Sequence, residues 1–249
     1  MRIPKILLAF IIAVSFSACQ KELSPDSSGT PLSTTSKIKT YTEDVTSNGK
    51  HAVMTFNLNY DSQNRLISMT SATDPGARFE YHYAIASFTL DLYNSNKLDI
   101  HEVAYLNSYS LVDSTLQYNQ EKDTTTEKYI YNTAKQLIKK MQYEYSYATG
   151  AKLENVTNYF YDNIGNVIKE TDYTSEYTYE YYPDLVNNLV LGTPYEATNK
   201  NLVKTTTSNA SGPFVTFHHV YTFDSGKRII SETASGPDGE VGIKTYTYY

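Results

Sequence analysis

The sequence predicts an all-β chain of consecutive antiparallel hairpins, and three observations carry that expectation. The 249 residues include 25 tyrosines and 9 phenylalanines but no tryptophan. Tyrosine favours strands and has an apolar body with a polar tip. Short runs alternate aromatic or aliphatic residues with polar ones, as in VTFHHVYTF, where Val215, Phe217, His219, Tyr221 and Phe223 fall on one face. That period of two belongs to a strand. Finally, a frame recurs: an aromatic, usually Asp or Asn next, a polar stretch, then two aliphatics.

The chain opens with MRIPKILLAFIIAVSFSACQKE, in which Arg2 and Lys5 precede an apolar run to Phe16. The run is too short to span a bilayer and reads as a secretory leader, residues 1–18. Cys19 is the only cysteine, so no internal disulfide supports the fold. The segment FSAC resembles a bacterial lipoprotein signal, with Phe16 where leucine is usual. The resemblance implies that Cys19 carries the lipid, and more than one acyl chain is needed to anchor stably. Gln20, Lys21 and Glu22 resemble the export signal of Bacteroidetes surface lipoproteins, which implies an outer-membrane address facing the cell surface.

Residues 19–37 then form a tether. Lys21–Lys37 is rich in Ser, Thr, Pro and Gly and buries too little apolar surface to offset ordering entropy. If flexible, it spans about 20–25 Å. Residues 38–249 are long enough for one domain. Arg2 and Lys5 leave with the leader, so the 21 basic residues become 19 against 27 acidic ones, a net charge of about −8. Such a chain lacks the basic footprint of a nucleic-acid binder.

The frame appears as NYDSQNRLIS at Tyr60, IYNTAKQLIK at Tyr131, FYDNIGNVIK at Tyr161 and TFDSGKRIIS at Phe223. The aliphatic pairs are Leu66/Ile67, Leu137/Ile138, Val167/Ile168 and Ile229/Ile230. Looser copies start at Tyr93 and Tyr195. The aromatic before each turn belongs to the buried face, and the Asp or Asn after it bonds its own backbone to start the turn. Asn64 and Gly165 sit where a left-handed residue is wanted, whereas Gly226 falls one place early and implies a different turn. The return strands are expected to run out toward solvent through Lys169, Glu170 and Asp172. NTAKQLIKKMQ also fits a helix face, but alignment with the other units favours a turn and strand. DLVNNLVLG reads as a short helix or loop, while DPGA and GPDGE mark turns.

This frame resembles the YD repeat of RHS-type proteins, most closely in FYDNIGNVIKET. The whole chain resembles a Tyr-rich family of Bacteroidetes lipoproteins built from such units. The resemblance implies a repeat sheet of hairpins, open or partly closed, and carries no catalytic residue. A two-sheet β-sandwich is the alternative.

The sequence supports no catalytic, cofactor-binding or metal-binding assignment; Cys19 is the one candidate site residue, for lipidation. His218 and His219 are adjacent on a strand and point to opposite faces, with His219 on the aromatic side. No HExxH, nucleophile elbow or phosphate loop is present. Carboxylates such as Glu121, Asp123, Asp162, Asp172 and Asp184 could pair for glycoside hydrolysis, but Asp61, Asp162 and Asp224 occupy the recurring turn position. The C-terminal IKTYTYY raises a membrane barrel, yet Tyr246 and Tyr248 lie on the face opposite Tyr249, and charge interrupts the strands. An unpaired terminal strand could instead accept a partner. The leading expectation is a non-enzymatic surface lipoprotein, held to the membrane through Cys19, with a glycan, peptide or protein partner. The alternatives are a polysaccharide hydrolase using paired carboxylates and a periplasm-facing lipid or lipoprotein carrier.

Overall fold

A computed structural model describes residues 37–47, 49–119, 124–146, 150–189, 199–210 and 212–249. Cys19, residues 20–36 of its tether, Glu121, Asp123 and Tyr195 lie outside the described residues. The strands in chain order are β1 (Ile38–Ser47), β2 (Lys50–Tyr60), β3 (Leu66–Ser71), β4 (Arg78–Tyr83), β5 (Ser87–Asn94), β6 (Lys97–Leu106), β7 (Val112–Asn119) and β8 (Thr124–Tyr131). They continue as β9 (Leu137–Ser146), β10 (Gly150–Tyr161), β11 (Val167–Thr171), β12 (Glu176–Val186), β13 (Asn201–Ser208), β14 (Val215–Phe223), β15 (Ile229–Ser235) and β16 (Val241–Tyr248).

Each strand pairs antiparallel with its chain neighbours, and β16 returns to β1, giving one closed barrel of 16 strands. The expectation of an open or partly closed sheet is therefore corrected, as is the sandwich alternative. The terminal strand has no free edge: Thr40 to Thr46 stand opposite Thr247 to Val241. Closure removes the exposed ladder that an open sheet would present.

Among the described residues, the only regular element besides the wall is a 3-10 turn at Pro237–Gly239. A buried side chain is thus one that points inward. The inward face holds Ile38, Leu58, Leu66, Phe88, Val112 and Ile229, each at most 1% exposed. Register extends this assignment around the barrel. Tyr41 faces in with Phe56 and Tyr246 on its two neighbours, while Thr42 faces out with Thr55 and Thr245.

One end of the barrel is built by the recurring frame. Asp61, Asn107, Asn132, Asp162 and Asp224 each accept backbone N–H bonds on Oδ1 from residues two and four positions later, at 2.8–3.2 Å. The fourth residue of each turn has positive φ: Asn64, Ser110, Lys135, Gly165 and Lys227. Gly226 therefore does not mark a different turn; Lys227 takes the left-handed position at φ 61°. The Asn107 turn is a copy that the frame missed, because Leu106 replaces the aromatic and Asp113 the second aliphatic. The Tyr93 copy is also corrected. Its turn is a two-residue hairpin with Ser95 and Asn96 at positive φ, and it lies at the opposite end.

The aliphatic pair is a β-bulge. Ladder registers slip between Asn59/Tyr60, Ile130/Tyr131, Phe160/Tyr161 and Thr222/Phe223, opposite these pairs. The first aliphatic is buried inside, as at Leu66, Leu137, Val167 and Ile229; the second faces water, with Ile67, Ile168 and Ile230 at 38–41% exposed. The extra residue twists the strand and lets both neighbours stay in phase.

Tyrosines close this end. Tyr83, Tyr131, Tyr161, Tyr181 and Tyr248 donate to the carbonyls of Leu66, Val112, Leu137, Val167 and Ile229, at 2.5–2.8 Å. Each bond ties an even strand, at its end or, for Tyr181, at its middle, to the buried start of the strand before it. Tyr60 departs from this pattern: its buried hydroxyl makes no hydrogen bond. Glu170 departs from the solvent-facing expectation: it turns inward and accepts from the Tyr179 hydroxyl at 3.0 Å. NTAKQLIKKMQ is a turn and strand, and Asp184–Val186 continue β12.

Tyr161→Phe should cost about 1 kcal/mol by losing one hydrogen bond, and Tyr161→Ala about 3 kcal/mol, both read from urea unfolding. Lys227→Gly should raise the urea midpoint by relieving a left-handed penalty of roughly 1–2 kcal/mol, partly offset by glycine's chain entropy. Gly165→Ala should lower it.

Candidate functional site

The inward face is divided. From β2 to β6 it is mostly apolar, with Phe56, Leu58, Met69, Phe79, Tyr81 and Leu92. Between β12 and β1 it carries buried charge. His219 Nδ1 meets Glu232 Oε1 at 2.8 Å, and His219 Nε2 meets Thr206 Oγ1 at 3.0 Å. Lys244 stands in register between Glu232 and Glu43, and Glu43 is 3% exposed. Tyr221 lies within 3.5 Å of the same Glu232 oxygen. On β8 and β9, Lys140 Nζ pairs with Glu127 Oε1 at 3.2 Å, and Tyr129 donates to the other Glu127 oxygen at 2.5 Å.

Electrostatics sorts these acids. Burial works to raise Glu232, but the Lys244 charge and the hydrogen bond and charge of His219 outweigh it and hold the carboxyl at about 2. Burial raises Glu170, with the Tyr179 bond and the Lys140 charge only partly opposing it. Burial, then the Glu127 carboxylate, pushes the Tyr129 hydroxyl well up.

Thr206, His219 and Glu232 have the connectivity of a nucleophile relay. The surroundings do not complete it. Thr206 lies mid-strand, in register with Tyr179 on one side and Phe217 on the other. Its neighbouring amides are spent in the ladder, so no donor pair stands ready for an oxyanion. The relay is a satisfied structural network, and it places His219 inside and His218 outside as the alternation requires. Among the described residues, the carboxylates considered for hydrolysis do not converge. Asp162 caps a turn at the tyrosine-closed end, Asp172 caps one at the opposite end through Thr174 and Ser175, and Asp184 is exposed.

The outer wall is polar. Threonine and serine hydroxyls pair across strands at Thr40–Thr247, Thr42–Thr55, Thr207–Thr216 and Thr222–Ser231, at 2.6–2.8 Å. Ion pairs join Arg78 to Glu80 at 2.6 Å and Lys169 to Glu176 at 2.7 Å, and His101 Nδ1 is hydrogen-bonded to Asp91 Oδ1 at 2.5 Å. Among the described residues, no three His, Cys, Asp or Glu side chains form a group suited to a metal ion. Large apolar residues such as Val53, Tyr118, Phe160 and Val220 stand among the polar ones, and Phe160 neighbours the exposed Ile168 at the β10–β11 bulge.

The chain has a porin-like fold. A porin-like protein from Bacteroides uniformis superposes with a TM-score of 0.63 over 86% of this chain and 98% of that one, at 13% identity. A second, from Bacteroides vulgatus, aligns over 86% and 99% at 13% identity, but its TM-score of 0.37 carries no weight. No family model and no curated protein matches the sequence. At this identity the likeness establishes the closed barrel and leaves activity to the side chains.

The depressed Glu232 pKa has a consequence for stability. A carboxyl whose folded pKa lies below its usual value near 4.5 stabilises the fold above that value, and the contribution is lost as pH falls toward about 2. Urea unfolding should therefore weaken between pH 5 and pH 2. Glu232→Gln should be less stable than the parent at pH 7 and flatter across that window.

Proposed function

We propose that this chain is a lipid-anchored outer-membrane protein whose barrel stands in water and serves a binding or structural role, not a pore through the bilayer. The observation that carries this reading is the chemistry of the outer wall. A membrane barrel needs an apolar outward band, and a Lys or Arg facing lipid near the midplane costs roughly 2–4 kcal/mol. Arg78, Glu80, Asp91, Lys128, Lys139, Lys169 and Glu176 all face outward by register. Strand length agrees. A membrane strand needs about 9–11 residues; β1, β2, β6, β9, β10, β12 and β14 reach 9–12, but β3 and β4 have 6 and β11 has 5, so the wall is not of that height all round.

The leader and Cys19 supply the membrane address that this wall does not. The polypeptide enters the barrel at the tyrosine-closed end, where Tyr249 N bonds the Lys37 carbonyl at 3.1 Å. A tether from Cys19 would therefore hold that end toward the membrane and leave the opposite rim pointing away. The half-exposed tyrosines and the mixed inward face supply binding chemistry.

Cys19→Ser should move the protein from the membrane to the soluble fraction with its fold intact by circular dichroism. Purified lipidated protein should show no single-channel conductance in planar bilayers. Stable conductance steps, or a Cys19→Ser variant that needs detergent to stay in solution, would overturn the reading.

A further inference from the structure

The repeated turn provides its own control, because five copies share one geometry and differ in side chains. At the third turn position the copies carry Gln63, Ala134, Ile164 and Gly226, but the copy between β6 and β7 carries Tyr109. At the bulge, where Ile67, Ile138, Ile168 and Ile230 stand elsewhere, that copy carries Asp113. Neither change adds to the buried core. Tyr109 is 66% exposed, and Asp113 puts a charge where an aliphatic otherwise sits. A residue that departs from a local rule without structural gain is where function is expected.

Both departures line one cavity of about 340 Å³, between this turn and the neighbouring turn at residues 132–136. Its remaining wall includes Leu111, Tyr131, Thr133 and Lys135. Lys135 Nζ lies 5.5 Å from the centre of the Tyr109 ring. The Tyr131 hydroxyl is already committed to the Val112 carbonyl, and the Asn107 and Asn132 side chains to their turns. The groups left for a ligand are an exposed aromatic face, one carboxylate, one ammonium and one hydroxyl. The two charges cancel, so nothing selects a charged ligand. The size is at the lower end of small-molecule sites.

We propose that this groove binds one neutral pyranose unit of an oligosaccharide. The apolar face of the ring stacks on Tyr109, Asp113 accepts from vicinal hydroxyls, and Lys135 and Thr133 donate to ring or hydroxyl oxygens. The assignment rests on the binding role proposed above and adds its place and ligand class.

The test is calorimetric titration of the intact protein, purified in detergent, with maltohexaose, cellohexaose, mannohexaose and xylohexaose. At least one should bind, and Tyr109→Ala and Asp113→Asn should each weaken it by about tenfold or more, the loss typical of a central contact. Ile164→Ala, the same turn position in another copy, should leave affinity unchanged, which separates a ligand contact from loosening of the barrel end. Binding that survives Tyr109→Ala would overturn the groove while leaving a binding role elsewhere on the barrel. Absence of binding to all four sugars would overturn the saccharide assignment without touching the anchoring result, which the Cys19→Ser fractionation decides separately.

Discussion

The pairing of β1 with β16 is the constraint on which the rest of the structure depends. It joins residues about as far apart as the domain allows, Thr40 to Thr247 and Tyr41 to Tyr246. It is reinforced on both faces, by stacked rings of Tyr41 and Tyr246 5.7 Å apart inside and by the Thr40–Thr247 hydroxyl pair outside. The Tyr249 hydroxyl adds a bond to the Leu58 carbonyl on β2. Without this seam the sheet would have two free edges and no distinction between an inside and an outside. With it, a wall one strand thick can bury Ile38, Leu66 and Ile229 completely, although no helix or second sheet covers them among the described residues.

Closure also explains the economy of the repeating hairpin. An Asp or Asn carboxyl or amide oxygen satisfies the tight turn, a left-handed residue completes it, and the bulge restores the alternation so that the next strand keeps its inward phase. The tyrosine hydroxyl then fastens each strand pair to its neighbour through a carbonyl that the bulge leaves available. Neighbouring units thereby support one another, as a single hairpin could not in water. Where one copy gives up the aromatic and the bulge aliphatic, as at Leu106 and Asp113, the wall still closes, and the released positions line a groove.

A porin-like fold is compatible with two opposite surface chemistries. Facing lipid, the outer wall must be apolar; facing water, it can carry hydroxyl ladders and ion pairs. Here Arg78–Glu80, His101–Asp91 and Lys169–Glu176 occupy the outside, while Leu58, Leu66, Tyr81, Tyr129 and Tyr246 turn inward. Under the proposed reading, the same backbone plan is kept out of the bilayer by which residues fall on the even and odd positions of each strand.

The sequence by itself determined the local parts: strand character, the turn positions at Asp61, Asn132, Asp162 and Asp224, the inward phase of Tyr161, and the opposite directions of His218 and His219. These depend on alternation and on bonds reaching four residues or fewer, so they can be read along the chain. The tertiary structure alone decided closure, because an alternating strand looks the same in an open sheet, a sandwich or a barrel. It also decided which aliphatic of each pair is buried, since that follows from a bulge in the partner ladder. The turn at Asn107 was hidden because Leu106 and Asp113 broke the frame that announced the other copies. The groove was hidden with it: Tyr109 and Lys135 are 26 positions apart in the chain, and only the neighbouring of β7 and β8 brings them together.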